Sequence, residues 1–249
     1  MTAALSAQEL AHVTNADRLL PMQPLQSKHY AGDDLARELD ALMRSLLPTR
    51  HVEDKFRLVT KPGVTYASLG SDLSTLHFYQ ILIRIGGYKR VLELGTFIGV
   101  SAMFLAEAAG VDGSVMTVER GREFCELARQ NILANGFAAR IRLVRADALE
   151  TLRAAAAGQY DFILVDAAKE DYADMLVPAL AALAPDGLIV FDDVFMHGDV
   201  FNEFPRLDKT AGVTGLISAL QSRPADVSAV LLPIGNGLLL VRKERGHAA

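Results

Sequence analysis

Cysteine is nearly absent from this chain, which has only Cys125 among its 249 residues. A single thiol excludes an internal disulfide and a cluster of thiolate metal ligands. Cys125 lies in a predicted helix, and that position favours a buried structural thiol over a nucleophile.

Long apolar runs and an excess of positive charge are missing as well. No stretch approaches the ~20 apolar residues of a transmembrane helix, and the first residues lack the basic and apolar blocks of a secretory signal. We therefore expect a cytoplasmic protein without a membrane partner. The formal net charge of -5 disfavours a nucleic-acid partner. A length of 249 residues, 51% of them hydrophobic, suits one α/β domain.

The glycine motifs of common nucleotide sites are also absent. Gly95 and Gly99 are four residues apart and follow a short apolar run that contains Glu93. This spacing differs from the G-x-G-x-x-G of dinucleotide-binding proteins, and no Gly-Lys-Ser/Thr follows. It disfavours the alternative of a nucleotide-dependent oxidoreductase. Glycines at such a turn let a ligand approach the backbone, and one with sugar and amino-acid ends fits best.

Short apolar runs alternate with helical patterns from Arg90 onward, which predicts a parallel sheet with helices on both faces. The predicted strands are 90–94, 114–118, 141–144, 162–165 and 188–191, and the predicted helices are 100–109, 122–134, 148–157 and 172–183. Two last strands, 227–232 and 238–241, are too close together for a crossover helix and must form an antiparallel hairpin.

Residues 1–85 differ from this pattern and predict a helical cover over the carboxyl edge of the sheet, within the same domain as a core at 86–249. Ser6–Glu9 has the form of a capping box, and residues 74–85 predict a helix. Helical spacing also relates four leucines, Leu35, Leu39, Leu42 and Leu46.

Every one of the five central strands ends in an acidic residue. These residues are Glu93, Glu119, Asp147, Asp166 and the pair Asp192 and Asp193. Parallel strands place their carboxyl ends at one edge of a sheet, where ligands bind. A single aspartate there commonly caps a helix, but capping alone does not explain five acidic strand ends.

The position of each acid suggests a role. Glu119 is placed to accept the hydroxyls of a ribose, and Asp147 with Ala148 to border an adenine. Asp166, Asp192 and Asp193 would repel one another unless a cation lay among them, and oxygen ligands favour a hard ion such as Mg²⁺. The alternative is a solvated acidic rim without a metal.

Lys169 follows Asp166 by three residues, so its ammonium can reach the same cluster. Partial burial and a nearby metal would lower its pKa and make it a general base. The alternative is a plain counter-ion for the carboxylates.

Four segments together resemble a known family. They are 91–101 (VLELGTFIGVS), 166–172 (DAAKEDY), 185–194 (PDGLIVFDDV) and 231–238 (LLPIGNGL), and the resemblance extends from Ser71 to Lys243. The chain resembles class I S-adenosylmethionine-dependent O-methyltransferases of the cation-dependent group that contains catechol and caffeoyl-CoA O-methyltransferases.

The resemblance implies a Rossmann-like seven-stranded sheet with an antiparallel last strand, a homodimer, and methyl transfer to a hydroxyl of a small molecule such as a catechol-like vicinal diol. Lys169 would be the catalytic base. Asp166, Asp192 and Asp193 would hold the divalent cation. The residues implied for the methyl donor are Ser71, Glu93, Gly95, Ser101, Glu119, Asp147, Ala148 and Asp166.

Departures from the family pattern concern the acceptor side. Asp193 stands where relatives usually have asparagine, Met196 where they have tryptophan, and Ser74–Tyr79 where they have an acidic segment containing Gly-Gln. His77, in that segment, either contacts the substrate or is structural. An RNA-associated methyltransferase or a non-catalytic binding protein of the same fold remains an alternative.

Overall fold

The computed structural model describes residues 41–42, 45–49, 51–64, 66, 70–222 and 226–243. The capping box at Ser6–Glu9 and the leucines at 35 and 39 lie outside these residues. Leu42 and Leu46 are exposed. The N-terminal cover and its boundary at residue 85 therefore stay predictions. Within the described residues, no helix combines the length and apolar character that crossing a membrane requires.

A seven-stranded sheet forms the centre of the fold, in the order β3-β2-β1-β4-β5-β7-β6. Strands β1 to β5 are parallel, and β7 lies antiparallel between β5 and β6. This confirms the predicted fold class and hairpin. The strands are β1 (Arg90–Leu94), β2 (Ser114–Glu119), β3 (Ile141–Arg145), β4 (Tyr160–Val165), β5 (Leu183–Asp192), β6 (Val227–Leu232) and β7 (Leu238–Lys243).

Helices connect the strands and lie on both faces of the sheet. They are α1 (Val52–Lys55), α2 (Leu73–Gly86), α3 (Val100–Ala109), α4 (Arg122–Ala134), α5 (Ala148–Ala154), α6 (Tyr172–Ala182) and α7 (Thr210–Gln221), with 3-10 turns at Lys169–Asp171 and Met196–Phe201. The prediction that α5 reaches residue 157 is wrong, because Ala155 adopts an extended conformation. Strand β5 begins at Leu183, ahead of the predicted start at residue 188, so residues 184–187 belong to the strand.

Alternate residues of each strand pack into two separate cores. Phe162 and Leu164 of β4 join the core beneath α2, α3 and α4, whereas Ile163 and Val165 join the core beneath α5, α6 and α7. Helix α2 contributes Leu76, Tyr79 and Ile83 to the first of these cores. The period of two in the strands thus places helices on both faces, as predicted.

Candidate active site

The predicted acidic strand ends share one edge of the sheet. In the parallel registers, Leu94 pairs with Val118 and with Val165, and Val165 pairs with Phe191. The residues that follow these positions are therefore neighbours at the carboxyl edge. The edge has two parts, which we call the glycine end (Glu93 to Gly99, with Glu119) and the charged end (Asp166, Lys169, Asp192 and Asp193).

Glu93 is fully buried at the glycine end, and only one of its two carboxyl oxygens has a partner. The hydroxyl of Thr117 donates to Oε2 at 2.5 Å, and the hydroxyl of Thr96 lies 2.5 Å from that of Thr117. Oε1 has no hydrogen-bond partner among the described residues. A buried polar atom without a partner is costly, so Oε1 is a ready contact for a polar ligand group.

Burial raises the pKa of Glu93 to about 8, while the hydroxyls of Ser101 and Thr117 oppose the rise and the charges of Asp166 and Glu119 add to it. The carboxyl group is therefore mostly protonated near neutral pH. Ser101, which the resemblance assigns to donor binding, thus lies beside the carboxyl group of Glu93. Thr96 and Thr117 were missed in the sequence, although Thr117 is the register partner of Glu93 in β2.

Gly95 has a positive φ of 100°, as has Gly99 at 89°. A Cβ on Gly95 would lie 2.1 Å from the backbone oxygen of Asp166. The glycine is therefore needed where the backbones that leave β1 and β4 come together. The sequence suggested only that Gly95 lets a ligand approach the backbone, and this packing constraint was not predicted.

Glu119 ties the glycine turn to the end of β2. Its two carboxylate oxygens accept hydrogen bonds from the backbone N–H of Phe97 at 3.1 Å and of Gly121 at 2.7 Å. Cys125 is buried, and its thiol donates to the backbone oxygen of Glu119 at 3.3 Å. The predicted burial of the thiol is thereby confirmed.

Asp147 caps helix α5, which is the alternative role expected for a single aspartate at the end of a strand. Its carboxylate accepts from the backbone N–H of Glu150 at 3.0 Å, at the start of α5. Ala148 is the first residue of that helix. Contacts of Asp147 and Ala148 with an adenine remain a prediction.

Lys169 lies at the centre of the charged end and is buried. Its Nζ is 2.5 Å from Oδ1 of Asp166 and 3.8 Å from Oδ2 of Asp193. It also donates to the hydroxyl of Tyr172 at 2.9 Å. The predicted reach of the ammonium into the acidic cluster is confirmed.

The predicted lowering of the Lys169 pKa presupposes a bound metal and stays a prediction. Burial alone would lower the pKa of Lys169, but the charges of Asp166 and, more weakly, of Asp193 and Asp192 outweigh burial and raise it well above its usual value. With the charges that the described residues supply, Lys169 is an ammonium paired with Asp166, and its role as a base stays a prediction.

The other two carboxylates of the charged end have different partners. Oδ1 of Asp192 accepts from the backbone N–H of Asp193 at 2.7 Å, and Oδ2 accepts from the Ser71 hydroxyl at 3.2 Å. Oδ1 of Asp193 accepts from the side-chain amide of Asn236. Burial raises the pKa of both carboxyls, that of Asp192 to about 7. Ser71, assigned to the donor, thus lies at the charged end.

The donor set of the charged end fits a hard cation in charge and in ligand type. The charged end has three carboxylates and one ammonium, which leaves excess negative charge, and all ligand atoms are oxygen. Yet no three His, Cys, Asp or Glu side chains in the described part of the chain are gathered into a group that could hold a metal. Asp166 and Asp193 face Lys169, whereas Asp192 faces Ser71. Binding an ion with all three requires side-chain rotation.

Sequence reasoning assigned no role to Tyr172 or Asn236, although both lie within segments that carried the resemblance. The hydroxyl of Tyr172 is buried between the backbone oxygens of Val165 and Asp192, at 2.9 and 2.8 Å, where it accepts from Lys169. His77 packs its ring against Phe104, with centroids 5.4 Å apart, and pairs with Gln80. These contacts favour its structural interpretation.

Comparison with known proteins identifies the family. The family model described as O-methyltransferase matches residues 54–244, more than half of the chain. The chain therefore belongs to the O-methyltransferase family, which confirms the predicted family and class of enzyme.

Curated relatives have matching names. A catechol O-methyltransferase of Mycobacterium tuberculosis is 36% identical over 123 residues, which cover 49% of this chain and 56% of that protein. A catechol O-methyltransferase of Niastella koreensis is 27% identical over 210 residues, which cover 83% of this chain and 90% of that protein. Caffeoyl-CoA O-methyltransferase 2 of Zea mays is 30% identical and covers 67% of each chain.

Solved structures share the fold. The O-methyltransferase TomG of Streptomyces achromogenes, solved in complex with SAM, superposes with a TM-score of 0.71 at 24% identity. The match covers 89% of this chain and 100% of that one.

Proposed function

We propose that this protein transfers the methyl group of S-adenosylmethionine to one hydroxyl of a catechol-like vicinal diol, with the help of a divalent cation such as Mg²⁺. The observation that carries the proposal is the arrangement of one sheet edge. A buried carboxyl with an unpartnered oxygen lies at the glycine end, and a lysine held among carboxylates lies at the charged end.

The glycine end would bind the donor. Oε1 of Glu93 is available to a polar group of the amino-acid end of S-adenosylmethionine, and Ser101 lies beside Glu93. Glu119 ends β2, and Asp147 and Ala148 follow β3, where the ribose and adenine would lie. Each oxygen of Glu119 already accepts one backbone N–H and retains a second lone pair.

The charged end would bind the acceptor. Asp166, Asp192 and Asp193 would hold the cation, which supplies Lewis acidity that lowers the pKa of a bound hydroxyl. Lys169 can accept the proton of that hydroxyl only when its own amino group is neutral. Its pKa is raised by Asp166, so the negative charge around Lys169 must be neutralised before Lys169 acts as a base.

Methyl transfer then follows as a displacement. The acceptor oxygen forms a bond to the methyl carbon while the carbon–sulfur bond breaks, its electron pair stays on sulfur, and the hydroxyl proton goes to Lys169. The residues of the two ends contribute mainly by alignment, and alignment can supply ~7–11 kcal/mol of barrier reduction at most.

The proposal is tested by the release of S-adenosylhomocysteine from a panel of vicinal diols, with matched monophenols as controls, in Mg²⁺ and in EDTA. We expect release with diols only, and its loss in EDTA. Release that persists in EDTA would contradict the requirement for a divalent cation. Equal release with monophenols would contradict the preference for a vicinal diol.

Two further predictions belong to this proposal, a homodimer and a cytoplasmic location. Light scattering during size-exclusion chromatography tests the first, for which we expect twice the chain mass of 26.9 kDa. Localisation of the tagged full chain tests the second.

A further inference from the structure

The loop after β5 contains an unusual run of backbone conformations. Asp193, Met196 and His197 have positive φ angles of 64°, 49° and 54°, although none of them is glycine. Such conformations persist only where surrounding contacts impose them. Since Asp193 belongs to this loop, the direction of its carboxylate depends on what holds the loop.

Asn236, in the turn between β6 and β7, contacts this loop at three points. Its backbone oxygen accepts from the N–H of Phe195 at 2.7 Å. Its side-chain Oδ1 accepts from the N–H of His197 at 2.9 Å. Its side-chain amide donates to Oδ1 of Asp193. One asparagine thus bonds the strained segment at both of its ends.

The turn that carries Asn236 is itself wedged in place. A Cβ on Gly237 would lie 2.6 Å from the ring of Phe195, and one on Gly235 would lie 2.9 Å from the Thr75 hydroxyl of α2. The N–H of Val194 also donates to the backbone oxygen of Gly237 at 3.0 Å. The turn therefore offers a fixed point from which Asn236 can hold the loop.

We infer that Asn236 is a positioning residue for the charged end, where its amide binds one carboxylate oxygen of Asp193 and leaves the other facing Lys169. The side-chain amide of Asn236 donates a hydrogen bond and therefore requires an acceptor at residue 193. The carboxylate of Asp193 provides that acceptor, which explains how the chain accommodates an aspartate at position 193. The effect of Asn236 on turnover rests on the proposed function, whereas its contact with Asp193 does not.

A double-mutant cycle tests this role. Asn236→Ala should lower kcat ~10-fold, the lower range for residues that orient a reactive site, and change the affinity for S-adenosylhomocysteine less than ~2-fold. In an Asp193→Ala background the same substitution should cost nothing more, because its partner is gone. An equal loss in both backgrounds would overturn the inference.

A matched control and a rescue separate positioning from general stability. Asn202→Ala removes another amide-to-aspartate contact of the same loop, to Asp199 at 2.9 Å, and should leave kcat unchanged. Asn236→Asp sets two carboxylates against each other. Combining it with Asp193→Asn restores an amide-to-carboxylate contact in the reverse direction, and should raise kcat at least ~3-fold above Asn236→Asp alone. No recovery would contradict the role.

If the wild-type protein turns over no acceptor, the proposed function fails and thermal unfolding still tests the contact. The losses in Tm from Asp193→Ala and Asn236→Ala should then combine to less than their sum. Strict additivity would overturn the contact itself.

Discussion

The two ends of the sheet edge give their acids different partners. At the glycine end, Glu93 is kept largely neutral by burial, and Thr117 and Thr96 provide uncharged partners. At the charged end, Asp166 keeps its partner Lys169 protonated, and the backbone at Asp193 is strained. Neutral hydrogen-bonding groups suit recognition of a cofactor, whereas concentrated charge suits activation of an acceptor hydroxyl. The difference therefore predicts a division of labour between binding and chemistry.

The largest expected effect comes from Lys169→Met. The substitution removes the proposed proton acceptor, and loss of a general base lowers turnover ~10²–10⁴-fold. Single-turnover measurement with saturating donor reports this loss directly. Lys89→Met is a matched control because Lys89 precedes β1 at the opposite edge of the sheet and donates to the backbone of Ala109. Wild-type turnover in the Lys169→Met enzyme would contradict the assignment of the chemistry to the charged end.

A smaller effect is expected from Glu93→Gln on stability. The pKa of Glu93 rises from 4.5 to about 8 on folding, so the protonated carboxyl stabilises the fold. This stability is complete below about pH 4.5 and is lost as the pH rises through about 8. A tenfold change in an acid dissociation constant corresponds to ~1.4 kcal/mol.

Urea unfolding at pH 6 and pH 9 measures this contribution. The wild-type free energy of unfolding should fall between these values by on the order of 2–3 kcal/mol more than that of Glu93→Gln. Glu150→Gln, whose side chain is exposed on α5, serves as the control and should follow the wild type. A Glu93→Gln protein that loses as much stability as the wild type would show that Glu93 is ionised at neutral pH.

The smallest effect concerns Asp199, which orders the loop after Asp193 through hydrogen bonds. It is buried and accepts from the backbone of Arg206 and Leu207 and from the Thr210 hydroxyl. Burial raises the pKa of Asp199, but these hydrogen bonds outweigh burial and hold it at about 2.

The stabilisation from Asp199 is therefore present above the usual pKa of 3.8 and is lost as the pH falls towards about 2. Asp199→Asn should cost about 2 kcal/mol at pH 7 and less near pH 3, by chemical denaturation. An equal cost at both values would contradict this account of the loop.

Most of the fold could be predicted from local sequence. Strand β1 and helices α3 and α4 begin and end at the predicted residues. Helix α7 was missed because Gly212 and Gly215 weaken its propensity. A Cβ on Gly212 would lie 2.2 Å from the backbone oxygen of Lys169, so this glycine is explained by tertiary packing.

The charged residues of the site could be predicted from the sequence, but their protonation states could not. The acidic strand ends follow from the period of the strands and their shared direction. The protonation of Lys169 depends on how closely Asp166 approaches it, and no spacing in the sequence shows that distance. The contact between Asn236 and Asp193 joins residues 43 positions apart, so it becomes visible only when the hairpin folds back beside β5.

Calorimetric titration of S-adenosylhomocysteine into Glu93→Ala and Lys169→Met tests the division between the two ends most directly. If the glycine end binds the donor, Glu93→Ala should weaken binding ~10-fold or more, and Lys169→Met should leave it within ~2-fold of the wild type. Thermal unfolding of each variant without ligand checks that it is folded. Weakened binding in Lys169→Met together with unchanged binding in folded Glu93→Ala would contradict the account.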